Sequence, residues 1–208
     1  MQKKICHLVG AGDFCGFNAE ISPDDIVIAV DGGYRVLEEA EITPDFVVGD
    51  FDSLGIVPEG DNVTVLPSEK DVTDMFTAIN LGIEKGGGIF HIYGGTGGRL
   101  DHTLANFQLL RYFADKGVTL FFYGDGFGLT AVRNGSISLS GRRGSYISVF
   151  SLSDTSEGVT LKGLKYPLEN HTLTNAFPLG VSNEFTEKTA EISVSDGVLA
   201  VYYTIGKD

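Results

Sequence analysis

Five apolar residues, Ile26 to Val30, run without a polar interruption into Asp31-Gly32-Gly33, and Phe46 to Val48 run likewise into Gly49-Asp50-Phe51-Asp52-Ser53. A strand that is apolar on both faces belongs in a sheet covered on both sides, which calls for parallel strands under packed helices. Ile5 to Val9, Ile89 to Tyr93 and Val118 to Tyr123 repeat the pattern. Between them the period becomes helical. After Asp71 it places Val72, Met75, Phe76, Ile79 and Ile83 on one stripe, and after Arg99 it places Leu100, Leu104, Phe107, Leu110 and Phe113 on another. The first part of the chain therefore reads as an α/β unit with a mostly parallel sheet.

The texture changes after Gly124-Asp125-Gly126. From Leu129 the helical period gives way to short strands, Ser136 to Leu139, Tyr146 to Phe150, Ala190 to Val194 and Val198 to Ile205. Asn134-Gly135 and Asp196-Gly197 are expected to be two-residue hairpin turns, because both pairs tolerate positive φ. The expected organisation is an α/β domain over residues 1–126 and a C-terminal antiparallel β-sandwich over residues 127–208. No repeat or low-complexity linker separates them.

At 208 residues and 42% hydrophobic, the chain can bury a substantial core. Its net charge of -13, from 15 Lys+Arg against 28 Asp+Glu, argues against nucleic acid or an anionic membrane as partner. No apolar run approaches the roughly 20 residues of a membrane span. Met1-Gln2-Lys3-Lys4 leads into a strand run and not a signal sequence, so the cytoplasm is the expected compartment. Cys6 and Cys15 lack metal-ligand company and read as inert thiols.

The chemistry lies where apolar runs end. A half-buried carboxylate is costly unless it is paired or bound to a cation, so Asp31, Asp50, Asp52, Asp71 and Asp74 at strand ends and helix starts suggest an oxygen-ligand site for Mg²⁺. A solvated Asp-rich turn is the alternative for Asp50 and Asp52. Asp71 also fits as a helix N-cap with Asp74 at the third helical position. Gly94-Gly95-Thr96-Gly97-Gly98-Arg99 stands between a strand and a helix, where backbone N–H groups can line a phosphate nest and Arg99 can add a bidentate cation. The loop lacks the Gly-Lys-Ser/Thr ending of a Walker loop, and a flexible connector is the competing explanation. Asp101, His102 and Asn106 follow on the next helix, although a lone His is more often structural.

A second pattern competes. Gly10-Ala11-Gly12 with Gly16 follows the first strand, and Asp31 stands 19 residues after Gly12, imitating a dinucleotide-binding fingerprint. The third glycine is one residue late. A nicotinamide-dependent oxidoreductase using Gly10, Gly12 and Asp31 stays open on spacing alone, but it leaves the later Asp clusters and the second Gly-rich loop unexplained.

Taken in order, Asp31-Gly32-Gly33, the block Pro44 to Ser53, Lys70-Asp71-Val72-Thr73-Asp74, the block Gly94 to His102 and Val181-Ser182-Asn183-Glu184 resemble the thiamine pyrophosphokinase family. The resemblance implies transfer of pyrophosphate from ATP to the thiamine hydroxyl with release of AMP, in a homodimer with active sites at the subunit interface. It implies Mg²⁺ on Asp50, Asp52, Asp71 and Asp31, and catalytic roles among Asp71, Asp74, Arg99 and Asp101. ATP would meet Gly10, Gly12, Gly32, Gly33, Lys70, Gly94, Gly95, Thr96, Gly97, Gly98, Arg99, His102 and Asn106, and thiamine would meet Asp101, Tyr166, Ser182 and Asn183. The family often carries a Trp before the Ser-Asn pair, whereas this chain has no Trp and shows Lys165-Tyr166, so Tyr166 is expected to stack on thiamine. A thiamine-binding protein without turnover is the remaining alternative.

Overall fold

The computed structural model describes residues 3–52, 55–67, 69 and 71–206. The chain divides into two compact units, Met1–Leu109 with Leu120–Asp125, and Leu110–Thr119 with Gly126–Asp208.

The first unit holds strands β1 (Lys4–Val9), β2 (Ile26–Val30), β3 (Phe46–Gly49), β4 (Val63–Val65), β5 (Gly87–Tyr93) and β6 (Thr119–Gly124), in the spatial order β6-β5-β1-β2-β3-β4. The pairs β1 with β2, β1 with β5, β2 with β3 and β3 with β4 are all parallel. Every residue of β2 is buried, as an uninterrupted apolar run demands.

Helices α1 (Gly33–Glu39), α2 (Asp74–Glu84) and α3 (Leu100–Ala114) connect the strands. Helix α2 begins later than the sequence suggested. Thr73 is extended and its Oγ1 accepts from Phe76 N at 3.2 Å, so Thr73 is the N-cap and Asp74 the first helical residue. Asp71 therefore does not cap the helix, and Val72 lies outside it and exposed. The buried stripe is Met75, Ala78, Ile79 and Gly82. Small residues fill it because β5 comes close: a Cβ on Gly82 would stand 2.6 Å from the Phe90 ring and 3.3 Å from Cys6 Sγ. Helix α3 also departs from its expected stripe. Leu110 and Phe113 are buried, but Leu100 and Leu104 are exposed and Asn106 takes the inward position.

The sheet face bearing His7 is covered differently. No helix joins β1 to β2; residues 10–25 cross that face irregularly. Phe17 packs edge-on against Tyr93, whose hydroxyl accepts from Ala19 N at 3.3 Å. Beneath them His7 stacks on His91, and His91 on Tyr123. Burial lowers the pKa of both histidines, that of His91 to about 4, so the stack is neutral.

The second unit is antiparallel, with β7 (Phe127–Ser140), β8 (Tyr146–Ser151), β9 (Thr155–Lys162), β10 (Leu168–Thr174), β11 (Gly180–Glu184) and β12 (Thr189–Thr204). Strands β7 and β12 pair from Thr189↔Ser140 to Thr204↔Phe127. The expected hairpin turns at Asn134-Gly135 and Asp196-Gly197 are instead interruptions within these two long strands. The register shifts between Val194 and Val198, Asn134 and Gly197 take positive φ, and Gly197 N donates to Asn134 Oδ1 at 2.8 Å. Each pair supplies one positive φ, at Asn134 and at Gly197, but here it makes a bulge that bends a ladder. Beyond the bend β12 changes neighbours, pairing with β9 through Glu191–Asp196 and with β8 through Leu199–Tyr203. Ile147, Val149, Val159, Leu161, Ile192 and Val201 fill the core.

Gly82→Ala tests the close approach of α2 and β5. Helix propensity alone favours Ala by about 1 kcal/mol. Overpacking against Phe90 costs about 1–3 kcal/mol, so the variant is expected to unfold at lower urea. A midpoint raised by the substitution would contradict this packing.

Candidate active site

All the loops at the carboxyl ends of β1, β2, β3 and β5 lie on one edge of the parallel sheet. In open α/β sheets that edge holds the ligand crevice, near the point where the strand order reverses. Here the reversal falls between β1 and β5. Their loops are tied together by Gly10 N to Tyr93 O at 2.8 Å, Gly12 N to Gly94 O at 2.8 Å and Asp13 N to Thr96 O at 2.9 Å.

Asp31 ends β2 with φ +49, and Phe51 follows β3 with φ +59, both left-handed positions that non-glycine residues seldom take. The Phe51 side chain is buried between a half-buried Asp50 and an exposed Asp52. Asp31 Oδ1 accepts from Asp50 N at 3.1 Å, and Asp50 Oδ1 accepts from Asp52 N at 3.2 Å. Burial pushes the Asp31 pKa up to about 7, aided by the charge of Asp74, a hydrogen bond to Asp74 and the charge of Asp50. Near neutrality Asp31 thus still holds a proton part of the time, hydrogen-bonded to Asp74. The structure brings Asp31, Asp50 and Asp74 together, while Asp52 and Asp71 are exposed. Lys70 and Ser53 lie outside the described residues.

Among the described residues, no three His, Cys, Asp or Glu side chains form a ready-made metal cage. Mg²⁺ does not require one, since it is usually held by one or two carboxylates completed by substrate phosphates and water. The oxygens of Asp31, Asp50 and Asp74 fit a hard cation of that kind, which would relieve the crowding that raises Asp31.

Several glycines on this edge serve close packing of chain on chain. A Cβ on Gly49 would stand 2.1 Å from Asp31 Oδ1, and one on Gly33 would stand 1.8 Å from Val9 O. Gly10, Gly12 and Gly94 likewise sit against one another's carbonyls, and Gly97 sits against the Asp13 carboxylate. Gly32 precedes α1 as its N-cap. Gly49 was missed as a site residue; its signal was a glycine between an apolar run and an Asp-x-Asp pair.

In the glycine loop, Thr96 is buried, Gly95 O accepts from Asn106 Nδ2 at 2.6 Å, and Gly94, Gly97 and Gly98 have positive φ. Asn106 is therefore committed to holding the loop. Arg99 and Asp101 pair in a fork, Nε to Oδ1 at 3.2 Å and a terminal nitrogen to Oδ2 at 2.6 Å. That bond holds the Asp101 carboxyl below the usual carboxylate range. Both side chains and His102 are exposed.

In the second unit, β11 pairs with β8 through a register shift between Gly180 and Asn183. Ser182 sits in that bulge with φ +57, and its N–H donates to Ser148 Oγ at 3.0 Å. Asn183 is buried, with its amide bonded to the main chain of Tyr166. The Tyr166 ring is 59% exposed, with Val181, Leu179 and Phe177 also exposed.

Residues 17–122 match the family described as thiamin pyrophosphokinase, catalytic domain, and residues 136–199 match thiamin pyrophosphokinase, vitamin B1 binding domain. The chain is 32% identical over 179 residues to the thiamine pyrophosphokinase of Bacillus subtilis (strain 168), covering 83% of this chain and 84% of that one. The crystal structure of thiamine pyrophosphokinase from Bacillus subtilis superposes with a TM-score of 0.87 at 28% identity, covering 98% of this chain and all of the other. That from Geobacillus thermodenitrificans gives 0.83 at 30% identity over 98% and 99% of the two chains.

The raised Asp31 fixes a pH dependence. An acid whose pKa is higher in the folded state than its unfolded value near 4 holds an extra proton between the two, so stability falls as pH rises from about 4 to about 7 and then levels. Urea unfolding in chelator across that range should show Asp31→Asn gaining on the wild type as pH rises. A difference that stays flat would contradict the raised Asp31.

Proposed function

The chain belongs to the thiamine pyrophosphokinase family, and on that premise we propose that it transfers pyrophosphate from Mg²⁺-bound ATP to the hydroxyl of thiamine, giving thiamine diphosphate and AMP. The observation that carries the reaction chemistry is the crowded carboxylate edge, Asp31 beside Asp74 and Asp50, next to a glycine loop. The oxidoreductase alternative finds no support: its fingerprint needs a helix N-terminus after β1 for the pyrophosphate, and residues 10–25 form no helix.

Asp31, Asp50 and Asp74 would hold Mg²⁺, with Asp52 and Asp71 reaching it from the solvent side. When bound, the ion would neutralise charge on the phosphate oxygens. The loop Gly94 to Gly98, with Thr96 in its middle and held by Asn106 and by the Gly12 and Asp13 backbone, offers N–H groups to the phosphates, with Gly10, Gly32, Gly33 and His102 at its margins; Lys70 is proposed as a further ATP contact from the sequence alone. Arg99, its fork held by Asp101, adds an exposed cation beside the loop. The attacking alcohol must lose a proton. Asp101 is a weak acceptor because Arg99 stabilises its anion, so Asp71 is the favoured base. Tyr166 and Ser182 take the thiamine rings, and the net charge of -13 attracts the thiamine cation. We place the reaction in the cytoplasm, where ATP is supplied; no described helix is long and apolar enough to cross a membrane. The α/β part, residues 1–126, carries ATP and the β-part, residues 127–208, carries thiamine.

Incubation with ATP, Mg²⁺ and thiamine should yield AMP and thiamine diphosphate in equal amounts, and Asp50→Asn should lower kcat by about a hundredfold with the fold intact. Thiamine that binds without AMP release would leave a binding protein.

We further propose a homodimer in which the Asp edge of one subunit faces Tyr166 and Ser182 of the other. Equal mixing of Asp50→Asn with Asn183→Ala, impaired about a hundredfold and about tenfold at low thiamine, makes half the dimers mixed. Each mixed dimer carries one intact site, so about a quarter of wild-type activity should return. Confirmed exchange without recovery would mean sites built within one chain.

A further inference from the structure

Asn183 is 4% exposed and its amide spends its bonds on the main chain. Nδ2 donates to Tyr166 O at 2.7 Å, and Oδ1 accepts from Tyr166 N and from Glu184 N, both at 2.9 Å. The side chain thus occupies both polar groups of one residue, as a neighbouring strand would. Around it the segment before Tyr166 runs antiparallel to β11: Leu164 bridges Phe185, and Lys165 N donates to Glu184 O at 2.9 Å. Pro167 follows and has no N–H, so a backbone ladder cannot continue through it. The amide closes the last rung instead. What this leaves facing outward is the Tyr166 ring, with Lys165 Nζ 5.5 Å from its centroid and bonded to Glu184 Oε1 at 2.8 Å.

We propose that Asn183 is a positioning residue that acts on the substrate through Tyr166, locking that residue's main chain so that its exposed ring is presented to the aromatic cation; this rests on the pyrophosphokinase reading above. A buried amide whose oxygen already accepts two bonds, and whose nitrogen faces a carbonyl, has little left for a ligand. An aromatic ring held at fixed position binds a flat cation without first losing the freedom of a mobile loop. Removing the amide leaves Tyr166 N and O without their partner and frees the ring to wander, while the ATP edge of the chain is untouched.

The test is a double-mutant cycle on the full-length enzyme, with AMP release measured against thiamine and against ATP. Asn183→Ala and Tyr166→Ala should each raise the thiamine KM by about tenfold, with kcat and the ATP KM within about twofold of wild type. The double variant should be no worse than Tyr166→Ala. Asn183→Ser, which also gives up the bonds to Tyr166 but leaves a small polar side chain, should raise the thiamine KM in the same direction, and it replaces Ala in the cycle if Asn183→Ala does not fold. Effects that multiply in the double variant would mean that the amide touches thiamine itself, which overturns the proposal. So would an unchanged thiamine KM in either folded single variant. A wild-type enzyme that forms no AMP with thiamine fails differently: it overturns the pyrophosphokinase reading and this inference with it.

Discussion

A carboxylic acid pressed against a second one, at the open end of a parallel sheet, is the constraint around which the first unit is arranged. Burial and the neighbouring Asp74 push Asp31 up to a pKa of about 7. Such a pair is held only if the surrounding chain leaves it no other place. Gly49 gives up its side chain where the Asp31 oxygen lies, Asp31 itself accepts a left-handed backbone, and Asp50 N donates a bond that partly offsets the burial. Phe51 takes the opposite course, burying its ring from a left-handed position between Asp50 and Asp52. Local strain of this kind persists where the rest of the structure over-determines it, and it gathers at functional sites.

The second unit uses strain differently. Asn134 and Gly197 bend a pair of long strands so that β12 serves two neighbours in turn, and Ser182 sits in a bulge that turns it out of the ladder of β11. In each place a position that tolerates or endures positive φ marks a change of direction.

The parallel strands were legible because burial on both faces writes itself as uninterrupted apolar sequence; β2 matches its expected bounds, Ile26 to Val30. Helical stripes were less legible. Periodicity favoured large residues, yet Gly82 and Ala78 face inward on α2 because Phe90 already fills that space, and Asn106 faces inward on α3 because the glycine loop needs a donor. The Asn-Gly and Asp-Gly pairs signalled positive φ but not whether the strands turn back or merely bend, since that depends on pairing partners far along the chain. Site glycines were recognised as necessary, but the space they yield goes to neighbouring carbonyls and to Asp31 and Asp13. Asn106 and Asn183 stand in the motifs as expected ligand contacts, and composition alone does not reveal that their amides also bond the main chain.

If Mg²⁺-ATP binds at this carboxylate edge as proposed, it must displace the proton that Asp31 holds beside Asp74. Calorimetric titration of a non-hydrolysable ATP analogue with Mg²⁺, repeated at pH 7 in buffers of different ionisation enthalpy, counts the protons released on binding. The account predicts that wild type releases about half a proton more than Asp31→Asn, and that the excess fades well above pH 7, where Asp31 has lost its proton without the ligand. Equal proton counts for the two proteins, with the analogue bound to both, would contradict it.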